Sequence, residues 1–196
     1  TNFILTQMPS PTFTILFTFF ITLIIFPSWI TQLQSSNQCQ NRERRFQNDL
    51  FVPFMILLFN VGDFFGRFTA GYFEMKPAKI ASLRKKLPIF AITRLVFLPL
   101  FLNCKAIGIR ENAGTFFILL RKILHSDTAV VTLMIFFSFS NGFITTLSFM
   151  VAPKLISARD KEQGVASTIL NVAVGIGLLS GSSFSFVYHY IGTGQW

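Results

Sequence analysis

Residues 50–73 read LFVPFMILLFNVGDFFGRFTAGYF. A helix crosses the hydrocarbon of a bilayer with about 20 mostly apolar residues, so this stretch is long enough to span. Only Asp63 and Arg67 interrupt it with charge. They stand at i and i+4, on one helix face, with the acid N-terminal to the base, which is the favourable order for an ion pair. Asn60, three residues before Asp63, extends that face. A charge at the bilayer centre costs roughly 2.5–3.5 kcal/mol on insertion scales, so the face must turn into a bundle or towards water. This makes it the leading candidate for a substrate or ion site: the carboxylate accepts hydrogen bonds and the guanidinium offers a fork of donors. The plainer alternative is a self-neutralising pair that clamps two helices together.

The rest of the chain has the same character. Of 196 residues 52% are hydrophobic and 13% charged, where soluble domains average about 25% charged. No charged side chain occurs in residues 1–41, 128–153 or 163–196, and residues 87–104 contain only Arg94. Five spanning helices are expected, near 12–29, 50–73, 87–105, 128–151 and 165–191. The fold class is an all-α, polytopic membrane helix bundle. Residues 113–124 are apolar but short and contain Arg121 and Lys122. They read as an interfacial helix or as an ordinary loop. No basic segment precedes the first apolar run and the first residue is Thr1, so a cleaved signal peptide is a poor reading and a piece of a longer chain a better one. An odd number of spans places the two ends on opposite sides.

The net charge of +9 does not indicate nucleic acid. The bases fall in inter-helix loops without aromatic interleaving, as is normal for membrane proteins. Counting them does not orient the chain: bases divide almost evenly between alternate loops, although the cluster at 76–86 leans cytoplasmic.

Several further patterns bear on packing. Gly62, Gly66 and Ala70 recur every four residues, as do Ala173, Gly177, Gly181 and Ser185. Small residues at that spacing let a neighbouring helix approach closely. Ser138, Asn141, Thr145 and Ser148 form a polar stripe that bonds to another helix or faces a polar path. Arg94 could snorkel, meet a carboxylate outside this sequence or bond helix ends, and a structural role is preferred. No metalloprotease, nucleophile-elbow or phosphate-loop motif occurs. His125 and His189 are far apart, and Cys39 and Cys104 lack metal spacing. No enzyme, cofactor or metal is expected, and a disulfide between the cysteines is not favoured.

With these motifs in view, the chain resembles the C-terminal part of the equilibrative nucleoside transporter family, along nearly its whole length and in family order. Ile25, Phe26 and Pro27 close the first helix as in the family's seventh span. FNVGDFFGR (59–67) resembles the eighth-span signature F-N-x-x-D-x-x-G-R, and RLVFLPL (94–100) followed by Asn103 and Cys104 resembles the ninth. FSNGF (139–143), ending at Ala152, Pro153 and Lys154, resembles the tenth. GLLSGS (177–182) with Phe184, Ser185 and Phe186 resembles the eleventh.

The resemblance implies a fold similar to the major facilitator type, with this chain as its C-terminal five-helix half and a six-helix N-terminal half absent. It implies facilitated diffusion of nucleosides, and in some members nucleobases, by alternating access. The setting is the plasma membrane, with the C-terminus outside and residues 76–86 inside. The implied partners are the nucleoside, the bilayer and the absent half. The resemblance implies that Asp63 and Arg67 match the pair that contacts the nucleoside, at its ribose hydroxyls. Asn60 matches a cavity-lining position and Phe26 an aromatic at the cavity edge. Ser140, Asn141 and Gly142 carry over as a cavity or gating segment. Gly62 stands where many members have a bulky aromatic, which implies looser packing beside Asp63. The competing reading is a non-transporting membrane fragment in which Asp63 and Arg67 only clamp helices.

Overall fold

The computed structural model describes residues 8–35, 49–73, 76–104, 124, 126–156 and 160–194. The expected interfacial segment at 113–124, Cys39 and His125 therefore fall almost wholly outside the described residues. The elements are α1 (Pro9–Ile25), a 3-10 turn (Ile30–Gln32), α2 (Phe51–Gly71), α3 (Pro77–Thr93), a second 3-10 turn (Arg94–Val96), α4 (Phe97–Leu102), α5 (Asp127–Ile156) and α6 (Asp160–Thr193). The chain is an all-α membrane helix bundle, as its composition requires.

Local chemistry sets the ends of α1. Pro9 sits in its first turn, where a missing N–H costs nothing. Phe26 is extended and precedes Pro27 through a cis peptide bond. Helix cannot continue into that pair, because the residue before a proline is pushed out of the α region. Within α1 the buried Thr14, Thr18 and Thr22 recur every fourth residue. Thr14 donates to the carbonyl of Ser10 at 2.7 Å. This back-bonding satisfies a hydroxyl where no water reaches it.

Two helix pairs meet backbone to backbone. Between α2 and α5, a Cβ added at Gly62 would meet the Ser138 hydroxyl, one at Gly66 the Phe139 carbonyl oxygen, and one at Gly142 the Asp63 carbonyl oxygen. Between α1 and α6, a Cβ at Gly177 would lie 2.5 Å from the Leu16 carbonyl oxygen, and one at Gly181 2.6 Å from that of Phe20. No side chain fits in those gaps, so glycine is what permits the close approach. Ala70 is fully buried in the same α2 row, clustered with Ile144 and Leu147 of α5.

The expected third span near 87–105 takes a different form. Helix begins at Pro77, ten residues earlier, and then passes through the 3-10 turn at Arg94–Val96 into the short α4. Among the described residues, four segments are each long and apolar enough to span: Pro9–Gln32, Phe51–Gly71, Asp127–Ile156 and Gln163–Thr193. The third is a composite whose first turns carry Lys79, Arg84, Lys85 and Lys86. Basic side chains do not stop a helix; they only mark where it leaves the hydrocarbon. Its prolines free carbonyls, since proline has no N–H for the residue four before it. Pro88 frees that of Arg84, and the Ser10 hydroxyl of α1 donates to it. In the last turn, the amide of Asn103 donates to the Pro99 carbonyl at 2.7 Å. The indole N–H of Trp29 donates to that of Phe101 at 2.8 Å. Helix-end carbonyls that find no water must be satisfied in this way.

Trp29 is fully buried, with Tyr188 edge-on at 5.3 Å and the Gly192 position against its ring. It joins the end of α1 to α4 and α6. Cys104, in the same cluster, is a buried free thiol.

Replacing Gly66 or Gly142 with leucine is expected to force α2 off α5, costing about 1–3 kcal/mol or more from overpacking. Gly175, whose Cβ position has nothing within 4 Å, serves as the control. Gly175→Ala should hold or raise stability by about 0.5–1 kcal/mol. Thermal midpoints of the detergent-solubilised full-length protein check both; an unchanged midpoint in both leucine variants would contradict the backbone-to-backbone contact.

Candidate functional site

The glycine contacts set the distance at which side chains of α2 and α5 can meet. Gly142 lies under the backbone of Asp63 and Arg67. One residue away, Asn141 projects between α1 and α2. Its amide nitrogen donates to Asp63 Oδ1 at 2.7 Å. The other carboxylate oxygen, Oδ2, accepts from Arg67 Nε at 2.7 Å. The i, i+4 spacing thus yields the ion pair, and α5 adds a second, neutral clamp. The Asp63 side chain is 16% exposed and that of Arg67 49%. The acid is largely enclosed, while its charged partner lies half in the open.

The amide oxygen of Asn141 faces the other way. Arg94 Nη1 donates to it at 3.3 Å and Thr22 Oγ1 lies 2.7 Å from it. Arg94 Nη2 donates to Thr22 Oγ1 at 3.0 Å. The Thr22 hydroxyl also lies 2.7 Å from the Thr18 carbonyl, so its single proton is shared between two acceptors. Arg94 is 1% exposed. Its guanidinium carbon stands 4.8 Å from the centre of the Phe137 ring, a cation–π contact that helps a desolvated cation. Arg67, Asp63, Asn141, Arg94 and Thr22 therefore form one continuous polar chain through α2, α5, the turn after α3, and α1.

The remaining sequence candidates divide. Asn60 is on the same edge of α2 and exposed, its amide donating to the Ile56 carbonyl at 2.8 Å. Phe26 is half-buried and stacks on Phe59, with ring centres 4.1 Å apart and planes within 14°. That places it beside the residue preceding Asn60, one turn before Asp63, at the margin of the polar edge. Ser140 is not brought to the network. Its hydroxyl bonds back to the Phe137 carbonyl at 2.9 Å. It lines a largely apolar cavity of about 620 Å³ with Phe90, Phe97, Phe136 and Phe143, and Arg94 of the network lines the same cavity. Packing beside Asp63 is close rather than loose: the space an aromatic at position 62 would need is occupied by Ser138.

Thr22 was not legible as a site residue. Its only signal is the threonine stripe in α1, an ordinary packing pattern. Arg94 was visible as a costly charge but not as a partner of Asn141, because the two are 47 residues apart in sequence. Among the described residues, no group of three or more histidine, cysteine or acidic side chains could hold a metal.

The arrangement presents a carboxylate and a guanidinium side by side, with an amide and an aromatic ring nearby, along one open edge of α2. Such a set can accept and donate to vicinal hydroxyls and offer a π face to a planar ring. It contains no paired base and nucleophile.

The stacked pair can be tested by a double-mutant cycle. Phe26→Leu and Phe59→Leu should show a coupling of about 0.5–1.5 kcal/mol in thermal stability. Strict additivity would mean the rings do not stack in the protein.

Comparison with known proteins gives a consistent result. The family model described as nucleoside transporter matches residues 1–190. The chain is 29% identical over 170 residues to equilibrative nucleoside transporter 2 of Rattus norvegicus, covering 87% of this chain and 34% of that protein. It is 30% identical over 180 residues to equilibrative nucleoside transporter 1 of Homo sapiens, covering 91% and 36% respectively. It is 27% identical over 186 residues to nucleoside transporter FUN26 of Saccharomyces cerevisiae, covering 90% and 32%. The chain thus spans about a third of the length of these relatives. No solved structure matches it significantly.

Proposed function

The chain belongs to the nucleoside transporter family, and from that premise we propose that it is the C-terminal, major-facilitator-like half of a carrier for nucleosides. It is an integral membrane protein. The observation that carries the proposal is the edge of α2, where the exposed Asn60 and half-exposed Arg67 flank the largely enclosed Asp63. Hydrocarbon cannot solvate that edge. It calls for a second bundle across a watery cavity, and the greater length of the relatives supplies room for one.

In this reading the nucleoside sits at the interface of the two bundles near the membrane midplane. Asp63 accepts from ribose hydroxyls and Arg67 donates to them. These bonds count for more where water is excluded. Phe26, at the margin, offers its ring to the base. Alternating access follows from rocking one bundle against the other around the bound substrate. The glycine-lined contacts between α2 and α5, and between α1 and α6, keep this half moving as one body. The process is facilitated diffusion, in which the nucleoside moves down its own gradient. The location we propose is the plasma membrane, with the C-terminus outside.

The clamp alternative assigns the same ion pair to structure alone. It is disfavoured by geometry: Asp63 and Arg67 stand on the same helix and the contact across to α5 is made by Asn141, so the ion pair itself joins no two helices.

Asp63→Ala in the full-length protein should abolish uridine and adenosine uptake while leaving the amount at the membrane unchanged. The measurement is radiolabelled uptake normalised to surface protein. Uptake equal to wild type would overturn the site assignment and leave the clamp reading in place.

A further inference from the structure

Arg94 is the deepest charge described in the bundle, and no described carboxylate touches it. A guanidinium at 1% exposure is costly to hold in a low-dielectric interior unless its donors are used. Nη1 and Nη2 donate to Asn141 and Thr22, while Nε is buried without a partner among the described residues. Packing alone would be served better by leucine or methionine, which carry no desolvation cost. What the guanidinium does that an apolar side chain cannot is dictate the orientation of Asn141.

Arginine only donates, and an ionised carboxylate only accepts. Asn141 lies between one of each. With its oxygen towards Arg94 and its nitrogen towards Asp63, both contacts are satisfied. Turned over, the amide would set N–H against N–H on one side and oxygen against oxygen on the other. The orientation is therefore forced by the chemistry of the neighbours. Thr22, bound by Arg94, lies against the same oxygen and reinforces it.

We propose that Arg94 is a positioning residue for the substrate site: it acts through Asn141 to hold Asp63 in place, leaving the half-exposed Arg67 as the arm that opens to admit a substrate hydroxyl. The inference rests on the transport reading above and deepens it. Asp63 Oδ1 stays on Asn141, fixed from α1 and the turn after α3. Asp63 Oδ2 is released when Arg67 swings outward, and becomes the acceptor for the substrate. Specificity for ribose hydroxyls then depends on a residue that never touches the ligand.

The test uses the full-length protein in proteoliposomes, with uridine and 2′,3′-dideoxyuridine as paired substrates. Wild type should favour uridine in KM. Asn141→Leu keeps the volume but removes both bonds, and Arg94→Gln removes the charge. Each should raise the uridine KM roughly tenfold or more, as expected for losing a bond to a charged group. Each should bring the two KM values together, with the maximal rate per inserted protein falling less. The double variant should be no worse than Asn141→Leu alone, because Arg94 acts through Asn141. The inference is overturned if Asn141→Leu keeps the wild-type preference for uridine, which decides the matter even where Arg94→Gln fails to insert. It is also overturned if the two effects multiply, or if only the maximal rate falls. Absence of uridine uptake by wild type itself would contradict the transport reading, and this inference with it; wild-type uptake with unaltered variants sinks the inference alone.

Discussion

The structure depends on the answer it gives to one difficulty: Asp63 is a carboxylate held in the middle of an apolar helix, where lipid offers it nothing. Its charge is met by Arg67 on the same helix and by the Asn141 amide from α5, each at 2.7 Å. The second contact requires that two helix backbones lie unusually close. Gly62, Gly66 and Gly142 make that approach possible, since any larger residue would strike the facing chain. Electrostatics and packing are thus one device. The glycines exist so that the amide can reach the acid, and the amide is oriented by Arg94 from behind.

The same logic extends to the uncharged parts. A bundle in lipid must satisfy every polar group internally. Thr14 and Thr22 of α1 bond back to their own helix, Ser10 answers the carbonyl that Pro88 leaves open, and Trp29 and Asn103 close the end of α4. These are small contributions taken singly. Together they answer several backbone carbonyls of a segment that contains prolines and a 3-10 turn. Arg94 begins that turn.

Much of this could be read from the sequence, and the reasons for success and failure are physical. The ion pair depends on a spacing of four within one helix, so local geometry suffices to place it. The small-residue ladders of α2 and α6 are periodic, and periodicity is a local property too. Helix existence followed from the runs without charge. The bounds of the third span did not, because helix propensity ignores the membrane surface and carries on through Lys79 to Lys86. Nor could the partner of Arg94 be read, since Asn141 lies on another helix and only the tertiary arrangement brings them together. Gly62 misled in an instructive way. Its small size suggested a gap, yet the space was taken by Ser138 from the facing helix. A missing side chain in a sequence marks a close neighbour as readily as a void.

We propose that the nucleoside binds at the Asp63 carboxylate, held by Asn141 and Arg67. Equilibrium binding of uridine to the purified full-length protein tests it without the complication of transport. The account predicts saturable binding to wild type that is lost in Asp63→Asn, an isosteric change that keeps the fold but removes the charge. Equal affinity of the two proteins for uridine would contradict it.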